Sequence, residues 1–391
     1  MNVSGSAKKN VSHLLDALAA QCQTRHMDCS RAPVYLRATA GLRLLPAHDR
    51  DRIMQGAAAA IRQSIFQLTS PPRTVPGSEE ALYDWLFVNA AARALDAPAL
   101  RTFAVLDLGG GSTQIAFEPT SPGASSGGMR RLGSTLGSRN LYAVSRLGLG
   151  MNEAHAGVLA KRRGTERHPC ELPGDYEGCR SAVSDFVRAV DERVGLGPQA
   201  RTPPLPPMMQ LVGLDNFYFI VLALWSGDAT RAPSSAALPP GLADANGRLP
   251  PAPTLPEIEA QARRVCALSV EALRLDVGGL ERNKKLKAEK LPKACTCAAL
   301  VVVLARELYG VTDAQRIATV AEIGSFDASW ALGAMVYEIA QGMETQHSWM
   351  GVLPVTATVV ALLVGLLLIG CCAGGVRRVL GRPPVVRRIL H

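Results

Sequence analysis

The sequence predicts a folded chain that mixes helices with strands, and three observations carry that reading. Helical periodicity dominates residues 11–97, a strand–glycine turn–strand unit occupies 103–117, and helical segments alternate with loops from about 140 to 325. The helical runs of the first zone are HLLDALAAQC, DRIMQGAAAAIRQSIFQL and EEALYDWLFVNAAARAL. Between the first two lies PVYLRATAGLRLLP, a short β-rich run into a polar turn. In FAVLDLGGGSTQIAF, apolar or alternating β-prone residues flank the glycines, and a Ser/Gly-rich connector follows. RTPPLPP and RAPSSAALPPGLADANGRLPPAPTLP are too rich in proline to pack and read as exposed insertions. FDASWALGAMVYEIAQGM reads as an amphipathic helix, and there is no internal repeat.

With 391 residues the chain has material for one large domain or two ordinary ones. The formal charge of +9 raises nucleic acid as a partner, but five of those charges are arginines in the acid-free tail VRRVLGRPPVVRRILH. The other basic run, ERNKKLKAEKLPK, interleaves acids and reads as a solvated helix face rather than a phosphate track. No nucleic-acid partner is expected. GVLPVTATVVALLVGLLLIGCCAGG supplies about 23 uncharged residues, enough to cross a lipid bilayer. Trp349 before it and arginines after it orient the tail, 374–391, toward the cytoplasm and everything upstream of the span, 351–373, outside or in a lumen. MNVSGSAKKNVSHLLDAL offers no matching signal or span. Two NVS sequons, at Asn2 and Asn10, fit a glycoprotein of the secretory route. Cys371 and Cys372 close the span as palmitoylation candidates. Seven cysteines remain, with no repeated C-x-x-C pair, so the simple count is three disulfides and one thiol in an oxidising compartment.

Glycines in the turn let backbone N–H groups approach an anion with no Cβ in the way. Asp107, at the end of the first strand, has the oxygen chemistry to hold a hydrated divalent cation. Ser112 and Gln114 suit the orientation of water or a phosphate oxygen. These are the parts of a nucleotide polyphosphate site; a tight hairpin using glycine for turn geometry alone is the simpler account. Glu80, read by itself, is an acid at a helix N-terminus favoured by the dipole.

DLGGGSTQIAF resembles the fourth conserved region of the ecto-nucleoside triphosphate diphosphohydrolases, or apyrases. PVYLRATAGLRLLP resembles their second region and GSEEALYDWLFVNA their third, of the form E-E-G-x-Y-x-W followed by Asn. LYAVSRLGLGMNEA, HPCELPG, LPKACTCAAL…LYG and SWALGAMVYEI resemble later segments in order, from about 11 to 345. The resemblance implies an actin-like (RNase H-like) α/β fold of two domains with the nucleotide in the cleft between them. The first domain then spans 1–97, completed by 325–345, and the second 98–324. It implies Ca²⁺- or Mg²⁺-dependent hydrolysis of nucleoside tri- and diphosphates. Carried over, Glu80 is the general base, Asp107 positions the metal through water, and Ser112 holds the attacking water. Gly109, Gly110, Gly111, Ser112, Thr113 and Gln114 surround the phosphates, Gln114 beside the metal waters. Thr39 and Arg43 fall in a motif near the cleft, with a helix cap and a surface arginine as equal alternatives.

Two departures from the pattern stand out. Ala81 replaces the glycine after the glutamate pair. The first conserved region, a second phosphate hairpin of the form D-x-G-S-(S/T)-x-T, has no counterpart, so the resemblance implies an N-terminally incomplete version with reduced activity, or a nucleotide-binding pseudo-enzyme. The family places a disulfide near Cys170 and Cys179, which lie nine residues apart. Cys266 with Cys295 is the next pair, leaving Cys297 spare or exchanging, and Cys22 with Cys29 a further one; the pairing stays open. His168 reads as a surface residue. Tyr83, Trp85 and Phe217 read as packing residues, with base stacking the alternative for Phe217 or Tyr218. Trp330 starts the last helix. A homo-oligomer is compatible with the sequence, and base preference has no legible code.

Overall fold

The computed structural model describes residues 3–95, 101–120, 128–161, 167–194, 202–225, 233, 238–276 and 288–347. The apolar segment 351–373, the tail 374–391, Asn2, Cys371 and Cys372 lie outside them. Among the described residues no helix is long and apolar enough to cross a membrane. The chain forms two compact units, which meet in sequence at Pro76 and Gly77.

The first unit contains α1 (Val3–Thr24), β1 (Pro33–Val34), β2 (Arg37–Ala38), α2 (Ala40–Arg43), α3 (Ala47–Arg62), β3 (Gln67–Leu68) and β4 (Arg73–Thr74). The alanine-rich α3 lies close against α1, with Leu15, Ala60 and Ile61 buried between them. Alanines permit that approach because their small side chains keep the backbones near one another. The strands form two parallel pairs, β1 with β3 and β2 with β4. Thr39 sits at the N-cap of α2 without making a side-chain cap.

The second unit is built on a six-stranded sheet. Its elements are α4 (Gly77–Ala91), β5 (Ala104–Leu108), β6 (Ser112–Phe117), β7 (Met129–Arg131), β8 (Asn140–Leu147), α5 (Met151–Leu159), α6 (Tyr176–Val194), β9 (Leu211–Asp215), α7 (Asn216–Trp225), α8 (Leu255–Cys266), α9 (Val270–Asp276), α10 (Ala294–Val303), β10 (Ile317–Thr319), β11 (Glu322–Ile323), β12 (Phe326–Asp327) and α11 (Trp330–His347). The sheet order is β10-β9-β5-β6-β8-β7. β5 runs antiparallel to β6 but parallel to β9, which is parallel to β10. Every residue of α10 is buried, as a helix apolar on all sides requires. Its core neighbours include α6 and α8; a Thr254–Glu257 capping box starts α8.

Three expectations change here. The first boundary falls at 76/77, not 97/98, because α4 packs on α11 and on β6 and β8. Asn89 of α4 exchanges hydrogen bonds with the backbone of Phe103, Phe103 N–H to Asn89 Oδ1 at 2.8 Å and Asn89 Nδ2 to Phe103 O at 3.3 Å. On α11, a Cβ at Gly333 would stand 1.7 Å from the Tyr83 carbonyl oxygen, so only glycine admits this approach. The second proline-rich stretch packs at its end: the carbonyls of Pro251 and Pro253 accept from Thr319 and Ile317 N–H at 2.9 and 3.0 Å. Proline lacks a donor but keeps its acceptor, which suits it to cover the edge strand β10. In the other stretch Pro203 and Leu205 are also buried. His168 is buried rather than on the surface, its Nδ1 accepting from Cys170 N–H at 3.2 Å.

The disulfides are Cys22–Cys29, Cys170–Cys179 and Cys266–Cys295, with Cys297 a buried free thiol. Tyr83, Trp85 and Phe217 are core residues, and Trp330 begins α11.

Candidate active site

The glycine turn joins β5 to β6 in a register that pairs Asp107 with Gln114 and Leu108 with Thr113. Its carbonyls are held from one side. Met151 N–H donates to Gly109 O at 2.9 Å, Asn152 N–H to Gly110 O at 2.9 Å, and Gly148 N–H to Gly111 O at 2.8 Å. Two of those donors are orphan N–H groups at the start of α5. At Gly150, which caps α5, a Cβ would come within 2.4 Å of Gly110 C, Gly111 N and Ser112 N, so the approach depends on glycine. The N–H groups of Gly110 and Gly111 make no hydrogen bond among the described residues. Two adjacent backbone N–H groups left unengaged, with the turn's carbonyls tied behind them, have the chemistry to receive an anion.

Two of the expected cradle residues are spent elsewhere. Gly109 N–H donates to Ser112 O at 3.0 Å. The Thr113 hydroxyl is fully buried, donating to Asp107 O at 2.7 Å and lying 2.9 Å from the Tyr309 hydroxyl. Alternation along β6 puts Thr113 on the opposite face from Ser112 and Gln114. On the other face, Gln114 Nε2 donates to Ser112 Oγ at 2.7 Å and Ser145 Oγ at 3.2 Å. Gln114 Oε1 is buried with no hydrogen-bond partner among the described residues.

Acids converge on the end of this hairpin. Glu80 is buried on the first turn of α4, and Asp84, four residues on, shares its helix face and is 3% exposed. Asp215 ends β9 one residue beyond the position level with Asp107, with φ +51°. Burial, then the charges of Asp215 and Glu80, push the Asp107 carboxyl well above the ordinary carboxylate range. Asp84 is pushed up the same way, by burial and then by Asp107, Glu80 and Asp215. These mutual effects bring Glu80, Asp84, Asp107 and Asp215 into one electrostatic neighbourhood. No three such groups stand close enough to ligate one ion directly among the described residues. A cation held through water by Asp107, beside the unpartnered Gln114 oxygen, fits these donors.

The basic run is also corrected in part. Lys290 and Lys293 are half-buried and engaged; they donate to Asn216 Oδ1 and Asn152 Oδ1 at 2.9 and 2.7 Å. Lys290 Nζ also lies 3.8 Å from the Phe219 ring centroid. Sequence reasoning missed Asp84, Asp215, Asn152 and Asn216. Only Asp84 carried a signal, its i,i+4 spacing from Glu80.

The model of the GDA1/CD39 (nucleoside phosphatase) family matches residues 4–187, a span that contains Glu80, Asp107, the turn and Asn152. That stretch, just under half of the chain, is similar to the GDA1/CD39 family. Among similar proteins, ectonucleoside triphosphate diphosphohydrolase 6 of Mus musculus is 34% identical over 189 residues, 40% of this chain and 42% of that protein. The chain therefore spans about two fifths of the length of that relative. Probable apyrase 6 of Arabidopsis thaliana is 23% identical over 367 residues, 81% of this chain and 60% of the relative. A solved nucleoside triphosphate hydrolase of Neospora caninum is 16% identical with a TM-score of 0.57, covering 88% of this chain and 80% of that one. That likeness shows a shared α/β fold.

Proposed function

We propose that the protein hydrolyses terminal phosphoanhydride bonds of nucleoside di- and triphosphates. The observation that carries this reading is the meeting of buried Glu80 and Asp107 at the mouth of a glycine turn whose Gly110 and Gly111 N–H groups are unengaged among the described residues. The two N–H groups receive phosphate oxygens, and the preorganised backbone costs no reorganisation as charge shifts in the transition state. Glu80, buried on the first turn of α4, takes the proton of the attacking water. Ser112 orients that water, with its hydroxyl fixed by Gln114. Asp107 and Gln114 are the residues that would hold a hydrated Ca²⁺ or Mg²⁺ ion, which would supply neutralisation of phosphate charge. The lipid bilayer is the proposed partner of 351–373. Three disulfides support a secreted or lumenal setting for the hydrolase.

The test is phosphate release from ATP, ADP, GDP and UDP by the full chain, with Ca²⁺ or Mg²⁺ and with EDTA, beside a Glu80→Gln variant. Wild-type release that falls by about 10²-fold or more in the variant is expected. Equal release by both overturns the role of Glu80. Nucleotide binding without release would favour the pseudo-enzyme reading.

A further inference from the structure

Lys290 and Lys293 leave the 3₁₀ helix Ala288–Lys293 three residues apart, the spacing at which side chains eclipse on one face. Each donates to an asparagine beside the glycine turn. An ammonium has donors only, so each lysine fixes which end of the amide is oxygen and turns the NH₂ group away from itself. From there the two asparagines differ. Asn216 is buried, and its Nδ2 is spent on the carbonyl of Leu108 at 2.6 Å, a brace on the end of β5. Asn152 is exposed, and its Nδ2 has no acceptor among the described residues. That nitrogen stands 2.8 Å from where a Cβ on Gly110 would be, in the space that glycine leaves open. The backbone N–H of Asn152 is already bound to Gly110 O, so the residue cannot drift from the turn without breaking that bond.

We infer that Asn152 Nδ2 is a further donor to the phosphate group received by Gly110 and Gly111, and that Lys293 is the positioning residue that aims it. This rests on the hydrolase reading above and extends its anion site from two backbone donors to a third, side-chain donor. Lys293 acts through the amide: without its ammonium, Asn152 is free to rotate and present oxygen, which would repel a phosphate.

Binding of inorganic phosphate and of ADP to the full chain tests this, by calorimetry, with phosphate release measured on the same preparations. Asn152→Ala should weaken phosphate binding by about 2- to 10-fold, the worth of one hydrogen bond. Asn152→Asp keeps the Lys293 contact but presents only acceptors, and should weaken it more. Lys293→Met should match Asn152→Ala, the double variant should be no worse than Asn152→Ala alone, and Lys293→Arg should restore near-native binding. Unchanged affinity in both Asn152→Ala and Asn152→Asp overturns the inference, as does a wild type that binds no phosphate. An additive double variant overturns the positioning role of Lys293. If wild type releases no phosphate from nucleotides while these affinity losses persist, the hydrolase reading falls and the anion site stands. If wild type turns over and the Asn152 variants bind as it does, only the inference falls.

Discussion

Asp107 and Gln114 are direct partners across the β5–β6 hairpin, and the Gln114 amide oxygen is buried without a hydrogen-bond partner among the described residues. A carboxylate facing an unspent acceptor is suited to bound water with two protons to give. Gln114→Ala should therefore weaken activation by Ca²⁺ or Mg²⁺ about 10-fold, in the range seen for residues that support a metal indirectly. Asp107→Ala should remove metal activation. Titrating phosphate release against free metal checks both; an unchanged half-activating concentration in Gln114→Ala would remove that residue from the metal's surroundings.

Gly150→Ala should be far more damaging than Gly110→Ala. At Gly150 the new methyl meets backbone atoms of the turn at 2.4 Å, whereas at Gly110 it meets only the Asn152 amide at 2.8 Å. Backbone cannot step aside as a side chain can, so overpacking of about 1–3 kcal/mol is expected at Gly150. Thermal unfolding and phosphate release on the two variants measure the contrast, which disappears if α5 does not press on the turn.

Asp84→Asn should stabilise the chain at neutral pH. The Asp84 carboxyl is held well above the usual range by burial and then by Asp107, Glu80 and Asp215. The folded chain thus keeps a proton that the unfolded chain releases above pH ~3.9. Stability from this group is full below that pH and is lost as pH rises toward the folded value. The asparagine carries no such loss, so its advantage in melting temperature should grow from pH 4 to pH 8, by roughly 2–4 °C per kcal/mol relieved. A constant difference across that range would place Asp84 outside the acid cluster.

Replacing both Cys266 and Cys295 by Ser should cost roughly 3–4 kcal/mol on the loop-closure argument, since they are separated by 29 residues. Cys297, close by in α10, should stay unmodified by a thiol reagent at pH 8 in the folded chain: burial pushes its thiol up to about 12. Denaturant melts and mass spectrometry of the labelled protein check the pair of statements.

Local pattern made the hairpin legible, because strand, glycine turn and alternating strand are contiguous from 103 to 117. The helix bearing Glu80 was equally plain, and the cysteine arithmetic left one thiol over, as observed. What the sequence hid was long-range. Asp215 reaches Asp107 only because β9 pairs parallel to β5, and no property of LVGLD announces which strand it will join. Lys290 and Lys293 looked solvated because their acceptors, Asn216 and Asn152, come from segments over seventy residues upstream. Proline-rich 251–253 looked exposed because a missing donor was weighed and a remaining acceptor was not. The boundary at 76/77 was missed for a related reason: α4 belongs with the sheet through Asn89 and α11, contacts that no local signal reports.

The strand order has a further implication for how the protein is made. β5 and β6 leave the ribosome as a bare hairpin, and the flank that will hold Asp215 is synthesised some hundred residues later. Until β9 slots in beside it, the acid-bearing strand presents an unpaired apolar border that neighbouring nascent chains can join. Assembly of the acid cluster is thus a late event in biosynthesis, and a translation product halted before Leu211 would carry the glycine turn yet be prone to clump.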